Sequence, residues 1–193
     1  MGKDDETVAR LVAAAQDGDP DAFGALFDRY HPAVHRFVVA RIGRHGDAED
    51  LAQLVFVKAF EALPRYESRG VPFAGWLFRL ARNVVIDHVR TRREHATLDL
   101  VAERGSDEAG PSDLAAIRQE LDSLASALRR LTPEQREAIE LRFFAGLSAK
   151  EAAVAMGRQE GTVRGLQFRA IAALRRDLGI AAEDLPEASG TTR

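Results

Sequence analysis

Five arginines lie between residues 158 and 176, a segment that contains one acid, Glu160, and carries a net charge of +4. They are Arg158, Arg164, Arg169, Arg175 and Arg176. Guanidinium groups carried on one helix bind phosphates and the edges of bases, so a nucleic-acid duplex is the ligand that this segment predicts. The alternative is an ordinary helical hairpin whose basic face is solvated.

A second basic block spans residues 65–93, where seven arginines stand against two acids for a net charge of +5. Acidic stretches flank it, with net charges of −5 over residues 1–28 and −6 over residues 94–122. The net charge of the whole chain, −3, therefore conceals a strong separation of charge. This distribution predicts two anion-facing surfaces on two bodies.

The elements that must position the first block form a helix-turn-helix. Ser148 and Glu151 have the spacing of a capping box, and Gly157 ends the first helix. A second helix begins at residues 160–162, and its apolar positions are Val163, Leu166, Ala170 and Leu174. A short supporting helix, a glycine turn and a basic second helix match the geometry that places a helix in the major groove.

The rest of the chain also has helical periodicity. Asp19 and Pro20 predict the start of a helix over residues 21–42, which Pro32 kinks or divides, and residues 43–46 predict a turn. The other predicted helices cover the end of 1–16, 47–63, 73–93, 114–131 and the segment after the Thr132–Gln135 capping box. Ala138, Ile139, Leu141 and Phe144 form the predicted buried stripe of that last segment. Because residues 97–112 have the composition of a linker, the fold class is all-α, with two small helical domains joined by a flexible acidic linker.

Several classes of protein are disfavoured. The chain has no cysteine and no apolar run near the ~18 residues of a membrane span, so we expect a cytoplasmic protein without thiolate metal sites. His31 and His35 have a metal-ligating spacing with Asp28 nearby, but Pro32 lies between them and no third strong ligand is close. Without an HExxH motif or a glycine-rich phosphate loop, we expect no enzyme, no metal and no cofactor.

Four segments, taken in order, resemble the extracytoplasmic-function (ECF) sigma factors, the minimal promoter-recognition subunits of bacterial RNA polymerase. They are DPDAFGALFDRYHPAVHRF, DAEDLAQLVFVKAFEAL, PFAGWLFRLARNVVIDHVRTRR and LTPEQREAIELRFFAGLSAKEAAVAMGRQEGTVRGLQFRA. The resemblance covers roughly residues 18–178. It implies a region 2 domain over residues 18–93, a linker over 94–113 and a region 4 domain over 114–178.

The resemblance assigns the helix over residues 47–63 to the β′ coiled coil of core polymerase. The implied contacts are Asp50, Gln53, Phe56 and Phe60. The family usually has an acid after the glutamine, where this chain has Leu54. That departure either weakens a salt bridge or lets the leucine pack inward.

The block that begins at Phe73 resembles the reader of the −10 promoter element. The implied −10 residues are Phe73, Trp76, Arg79, Arg82, Asn83 and Arg90. Aromatic surfaces receive unstacked bases and cations hold the separated strand. The helical spacing of Trp76 is also compatible with an ordinary position in the hydrophobic core. The loop over residues 65–71 is where the family captures an extruded base, and Asp87 is expected to orient neighbouring arginines.

The second helix of the helix-turn-helix resembles the reader of the −35 element. The implied −35 residues are Arg158, Thr162, Arg164, Phe168 and Arg169. After Arg164 the usual Ser-Arg pair is replaced by Gly165 and Leu166. The glycine is expected to allow closer backbone approach, and the leucine is either core or a contact to a thymine methyl.

The partners that the resemblance implies are core RNA polymerase, through the β′ coiled coil and the β flap, promoter DNA and an anti-sigma factor. A small-molecule substrate is not expected. The alternative function is that of a stand-alone helix-turn-helix transcriptional regulator, which does not need the second basic helix.

Overall fold

A computed structural model of the chain describes residues 3–43, 45–68, 70–96 and 112–180, and all regular elements within those ranges are helical. The α-helices are α1 (Lys3–Gln16), α2 (Pro20–Ile42), α3 (His45–Ala62), α4 (Phe73–Ala96), α5 (Ser112–Arg130), α6 (Pro133–Ile139), α7 (Ala149–Met156) and α8 (Glu160–Leu178). A 3-10 turn (Leu63–Arg65) follows α3, and a π turn (Glu140–Phe144) follows α6. The all-α class predicted from the sequence is confirmed.

The ends of α2 are set by local chemistry. The Asp19 carboxylate accepts hydrogen bonds from the amides of Asp21 and Ala22, at 2.9 and 3.3 Å, and Pro20 occupies the first turn. Gly43 ends the helix in the left-handed region, with φ of 68°. Pro32 lies inside α2 without dividing it, because it removes only one amide donor while buried side chains anchor the helix on both sides.

The predicted turn over residues 43–46 is shorter in the structure, where α3 begins at His45. Gly43 ends α2 in the left-handed region, so the chain leaves the helix within one residue and α3 can begin soon after. Helices α2, α3 and α4 then pack around fully buried side chains, and Phe37 and Phe78 meet edge to face with ring centroids 5.7 Å apart. At the surface, Arg92 of α4 pairs with Asp47 of α3 at 3.0 Å.

The chain packs as two compact units. One comprises residues 1–103 and 140–164, and the other comprises residues 104–139 and 165–193. The helix-turn-helix is shared between them, since α7 and the first turn of α8 belong to the first unit. The domain limits inferred from the sequence, 18–93 and 114–178, stay a prediction, and most of the predicted linker (residues 97–111) lies outside the described residues.

Within the first unit, the segment 140–164 packs against α2 and α4. Arg41 of α2 forms a 2.5 Å ion pair with Glu140, whose carboxylate is buried. Arg36 donates from Nε to the carbonyl oxygen of Phe144 at 3.0 Å. On α4, Gly75 lies so close to α7 that a Cβ atom there would stand 2.8 Å from the Cβ of Val154. Only glycine fits this approach without a shift of one helix.

The second unit contains the predicted capping box at the start of α6. The Thr132 hydroxyl accepts from the Gln135 amide at 3.2 Å, and the Gln135 side chain accepts from the Thr132 amide at 3.1 Å. Arg130 of α5 pairs with Asp177 at the end of α8 at 2.7 Å.

The predicted buried stripe after this capping box is confirmed at Ala138, Ile139 and Leu141, but Phe144 is only half-buried. The π turn that begins at Glu140 adds one residue to the helical turn. Later side chains therefore rotate away from the regular 3.6-residue stripe.

Candidate nucleic-acid interface

The turn of the helix-turn-helix has the predicted geometry. The Ser148 hydroxyl accepts from the Glu151 amide at 3.2 Å, while the Glu151 carboxylate accepts from the Ser148 amide at 2.7 Å. Gly157 then ends α7 with φ of 64°, and its amide donates to carbonyls of the last turn. These local bonds fix the point at which α8 begins.

The five residues expected to read the −35 element are all exposed at or near α8: Arg158, Thr162, Arg164, Phe168 and Arg169. The ring of Phe168 is 75% exposed, which is unusual for a large apolar side chain without a partner. Val163 and Ala170, which lie between these positions, are buried. Helix α8 therefore has a packed side and a side that presents cations and one aromatic ring.

Arg164 is held in place by its own helix. Its Nε and Nη2 atoms both donate to Oε1 of Glu160, at 3.0 and 2.6 Å, across one helical turn. Because both side chains are exposed, the pair contributes little to stability. Its effect is to restrict the directions in which the guanidinium can point.

The two departures after Arg164 have different structural outcomes. Leu166 is 6% exposed, which favours the core alternative over contact with a thymine methyl. Gly165 lies beneath the guanidinium of Arg169, since a Cβ atom at position 165 would stand 3.4 Å from Nη1 of Arg169. This is ordinary van der Waals contact, so a Cβ atom would fit at position 165 and the position of Arg169 does not require a glycine there.

On α4, the polar residues expected to read the −10 element face solvent. Arg79, Asn83 and Arg90 are exposed, and Arg82 is half-buried. The Asp87 carboxylate lies 3.2 Å from Nη2 of Arg90, so Asp87 does contact a neighbouring arginine, as expected. This side of α4 can hold a polyanionic strand.

The aromatic residues of the predicted −10 site are not presented at the surface in the same way. Phe73 is 5% exposed, and its ring centroid lies 5.4 Å from those of both Tyr30 and Trp76. Trp76 is half-buried and lies 4.9 Å from Tyr66. Phe73 is therefore a packing residue in this structure, because an aromatic ring in the first turn of α4 fills the space beside two tyrosines.

The loop before α4 is attached at both of its ends. The Gln16 side-chain amide donates to the carbonyl oxygens of Leu63 and Tyr66, at 2.9 and 2.8 Å. The Tyr66 hydroxyl donates to the carbonyl oxygen of Val71 at 2.7 Å. Burial raises the pKa of Tyr66 above its ordinary value, so its hydroxyl stays protonated and able to donate.

Sequence reasoning missed both Gln16 and Tyr66. An aromatic residue inside an otherwise polar loop was the available signal for Tyr66. Gln16 gave no signal, because its partners are 47 and 50 residues away.

The residues expected to bind polymerase divide into two groups on α3. Asp50 and Gln53 are exposed, and the Phe60 ring is 60% exposed while its edge contacts Phe23. Phe56 is 4% exposed and packs against Phe27, so it supports the helix from within and does not present contact area. Leu54 is 40% exposed, which excludes the alternative that it packs inward.

The histidine pair lies close to Glu49 of α3. Nε2 of His31 and Nε2 of His35 lie 3.4 and 3.7 Å from the Glu49 carboxylate. Gln53 also donates to that carboxylate, at 3.2 Å. Among the described residues, no group of three or more side chains is arranged to hold a metal ion.

No helix within the described ranges combines the length and the apolar character needed to cross a membrane.

Comparison with known families finds two matches in this chain. Residues 26–95 match the family described as Sigma-70 region 2, and residues 121–174 match Sigma-70, region 4. The first match contains α3, nearly all of α4 and the loop between them, and the second contains α7 and most of α8.

Curated relatives extend the similarity over most of the chain. ECF RNA polymerase sigma factor SigD of Mycobacterium tuberculosis is 37% identical over 185 residues, covering 93% of this chain and 87% of the relative. ECF RNA polymerase sigma factor BldN of Streptomyces coelicolor is 37% identical over 175 residues. That alignment covers 90% of this chain and 66% of BldN, so this chain spans about two thirds of that relative.

Two solved structures resemble the fold. CnrH in complex with the cytosolic domain of CnrY has a TM-score of 0.69 and 31% identity, covering 90% of this chain and 97% of the CnrH chain. The sigma factor RpoE in complex with the anti-sigma factor NepR from Bartonella quintana has a TM-score of 0.64 and 28% identity, covering 82% and 97%. The relatives are sigma factors, which are transcription regulators and not enzymes.

Proposed function

Because the chain belongs to the ECF family of RNA polymerase sigma factors, we propose that it binds core polymerase, recognises a −35 and a −10 promoter element and promotes melting of the DNA. The observation that carries this proposal is the exposed face of α3, which combines Asp50 and Gln53 with the exposed ring of Phe60. A stand-alone DNA-binding regulator has no use for such a face.

The α3 face suits a protein partner. A carboxylate and an amide set the register of the contact, while Phe60, Leu54 and Val57 add apolar area that becomes desolvated on binding. The partner that we propose is the β′ coiled coil of core polymerase, with the β flap as a second contact of the region 4 domain. Phe56 takes a supporting role below that face.

Recognition of the −35 element falls to α8. Arg164 and Arg169 are the proposed base- or phosphate-binding groups, and Phe168 adds apolar contact. Thr162 and Arg158, near the start of the helix, are placed for phosphate contact. With Leu166 in the core, the base sequence read by α8 differs from that of relatives with an arginine at this position.

Recognition and melting of the −10 element fall to α4 and the loop before it. Arg79, Arg82 and Arg90 hold the separated strand, and Asn83 reads the edge of a base. Trp76, which is half-buried, supplies the aromatic surface on which an unstacked base can pack, and the buried ring of Phe73 packs against it.

The proposed organisation keeps a region 2 domain over residues 18–93, a linker over 94–113 and a region 4 domain over 114–178. Two structural relatives were solved with a bound partner chain, and one of these partner chains, NepR, is named as an anti-sigma factor. We propose that an anti-sigma factor also binds the present chain. The chain itself acts in the cytoplasm, where the polymerase works.

The deciding experiment is transcription with purified core polymerase and a library of genomic promoter fragments. We expect the protein to confer initiation at a small set of promoters with shared −35 and −10 sequences. The alternative, a stand-alone helix-turn-helix regulator, predicts duplex binding without core polymerase and no initiation by core. That second result would remove the sigma-factor assignment.

A further inference from the structure

We propose that Gln16 and Tyr66 are positioning residues for the loop of residues 65–71, so that α1 takes part in the recognition of the extruded −10 base. This inference rests on the proposed −10 function of the loop. It extends that function to an element outside the matched region 2, which begins at residue 26.

Gln16 joins α1 to the start of the loop. Its side-chain NH₂ group has two hydrogens, and the two acceptors are the carbonyl oxygens of Leu63 and Tyr66, at 2.9 and 2.8 Å. These carbonyls lie at the two ends of the 3-10 turn that follows α3. Both bonds are partly buried, which limits competition from water.

Tyr66 joins the start of the loop to its end. Its hydroxyl donates to the Val71 carbonyl oxygen at 2.7 Å, and its ring packs against Phe73 and Trp76 with centroids 5.8 and 4.9 Å apart. The ring is thus fixed by the aromatic cluster of α4. One side chain therefore holds the two ends of the loop at a set separation.

The loop also lies against α1 across an open cavity of about 640 Å³. Ser68, Val71 and Pro72 line one side of this cavity, while Val8 and Val12 of α1 line another. Gly70 adopts φ of 76°, a left-handed conformation that glycine takes without strain. Binding an unstacked base to a loop whose two ends are already fixed lowers the entropy cost of ordering it on contact.

The chain offers a matched control for Tyr66. Tyr66→Phe removes only the hydroxyl that reaches Val71, and Gln16→Leu removes only the amide that reaches the loop start. Tyr30→Phe is the control, because Tyr30 packs on the same Phe73 ring while its hydroxyl interacts with Arg29. All three variants keep the side-chain volume close to that of the native residue.

The experiment uses holoenzyme, formed with core polymerase, on a promoter identified by the transcription experiment above. Each non-template position of the −10 element is replaced by the other three bases, and open-complex formation is measured for each template. Wild-type protein is expected to discriminate strongly at the captured base. Tyr66→Phe and Gln16→Leu are each expected to reduce that discrimination about three- to tenfold, and Tyr30→Phe is expected to retain it.

A merely structural role would lower open-complex formation by one factor on all templates and leave the discrimination ratio unchanged, and that result overturns the inference. The −35 preference serves as an internal reference, because it is expected to stay constant in all variants. If one variant does not fold, as judged by its thermal unfolding, the other decides. A wild-type protein that opens no promoter overturns the proposed function itself, whereas equal discrimination by wild type and both variants overturns only the role of Gln16 and Tyr66.

Discussion

The two regions that we assign to DNA differ in how their aromatic residues are held. On α8, the ring of Phe168 projects into solvent beside Arg169, and the pair of Glu160 and Arg164 is the local contact that orients a cation. At the start of α4, Phe73 is buried among two tyrosines and a tryptophan. The difference indicates that a duplex is read by side chains that already project into solvent from a rigid helix. Reading a separated strand, by contrast, needs a loop held in shape by packing around it.

The largest expected effect comes from replacing one aromatic residue in each region with alanine. Phe73→Ala is expected to destabilise the fold by about 3–5 kcal/mol, because it leaves a cavity at the start of α4. Phe168→Ala is expected to leave the unfolding transition within about 0.5 kcal/mol of wild type while weakening −35 duplex binding. Thermal unfolding of both variants checks this contrast, and equal destabilisation would remove it.

A smaller effect is expected for the cation on α8. Arg164→Ala is expected to cost about 1–3 kcal/mol of binding to the preferred −35 duplex, if its guanidinium reads a base. Glu160→Gln keeps the cation and loosens only its orientation, so it should cost less and reduce sequence preference more than affinity. Fluorescence titration of holoenzyme with matched and mismatched duplexes measures both the affinity and the sequence preference of each variant. Equal loss on every duplex would assign Arg164 to a phosphate.

The close approach of α4 and α7 gives a further prediction. Gly75→Ala is expected to destabilise the first unit by about 1–3 kcal/mol, since the new Cβ atom would lie 2.8 Å from the Val154 Cβ and 3.0 Å from the Glu151 carbonyl oxygen. Val154→Ala in the same chain should restore part of the loss, because it removes the Val154 Cγ1 atom, which would lie 2.9 Å from the new Cβ atom, while the contact with the Val154 Cβ atom remains. Chemical denaturation of the two single variants and the double variant yields the coupling, and strict additivity would contradict the contact.

The smallest effect concerns pH. The hydrogen bond from Arg130 holds the pKa of the Asp177 carboxyl below its ordinary value. A lowered pKa contributes stability that is present above the unfolded-state pKa and is lost as pH falls through the folded-state pKa. Asp177→Asn should therefore be slightly less stable than wild type at neutral pH and indistinguishable from it at strongly acidic pH. Unfolding curves recorded from neutral to strongly acidic pH test this pH dependence. A difference in stability between variant and wild type that stays constant with pH would contradict it.

Local signals in the sequence predicted most of the helices and their ends. Asp19 with Pro20, the Ser148 and Glu151 pair, and Gly157 each act within a few residues, so their patterns are readable without knowledge of the fold. Long-range packing was not readable in this way. The burial of Phe56 and Phe73, and the bonds from Gln16 to the loop, depend on partners from other helices.

The close contact between Gly75 and Val154 was equally beyond the sequence. A glycine inside a helix indicates that something approaches closely, but not which residue does so. The exposure of Leu54 and the burial of Leu166 show the same limit, because helical periodicity places a side chain on a face and does not say what covers that face.

The measurement that bears most directly on the assignment as a sigma factor is the affinity of the protein for core polymerase when the α3 face is altered. The altered protein carries Asp50→Lys and Gln53→Ala. The matched control carries Asp122→Lys and Gln119→Ala, an exposed acid and amide with the same spacing on α5. We predict that the α3 variant loses at least about tenfold in affinity for core, as expected for a charge reversal at the centre of an interface, while the α5 variant stays within about twofold of wild type. Unchanged affinity of the α3 variant, with both proteins folded, would contradict the assignment of this face to polymerase.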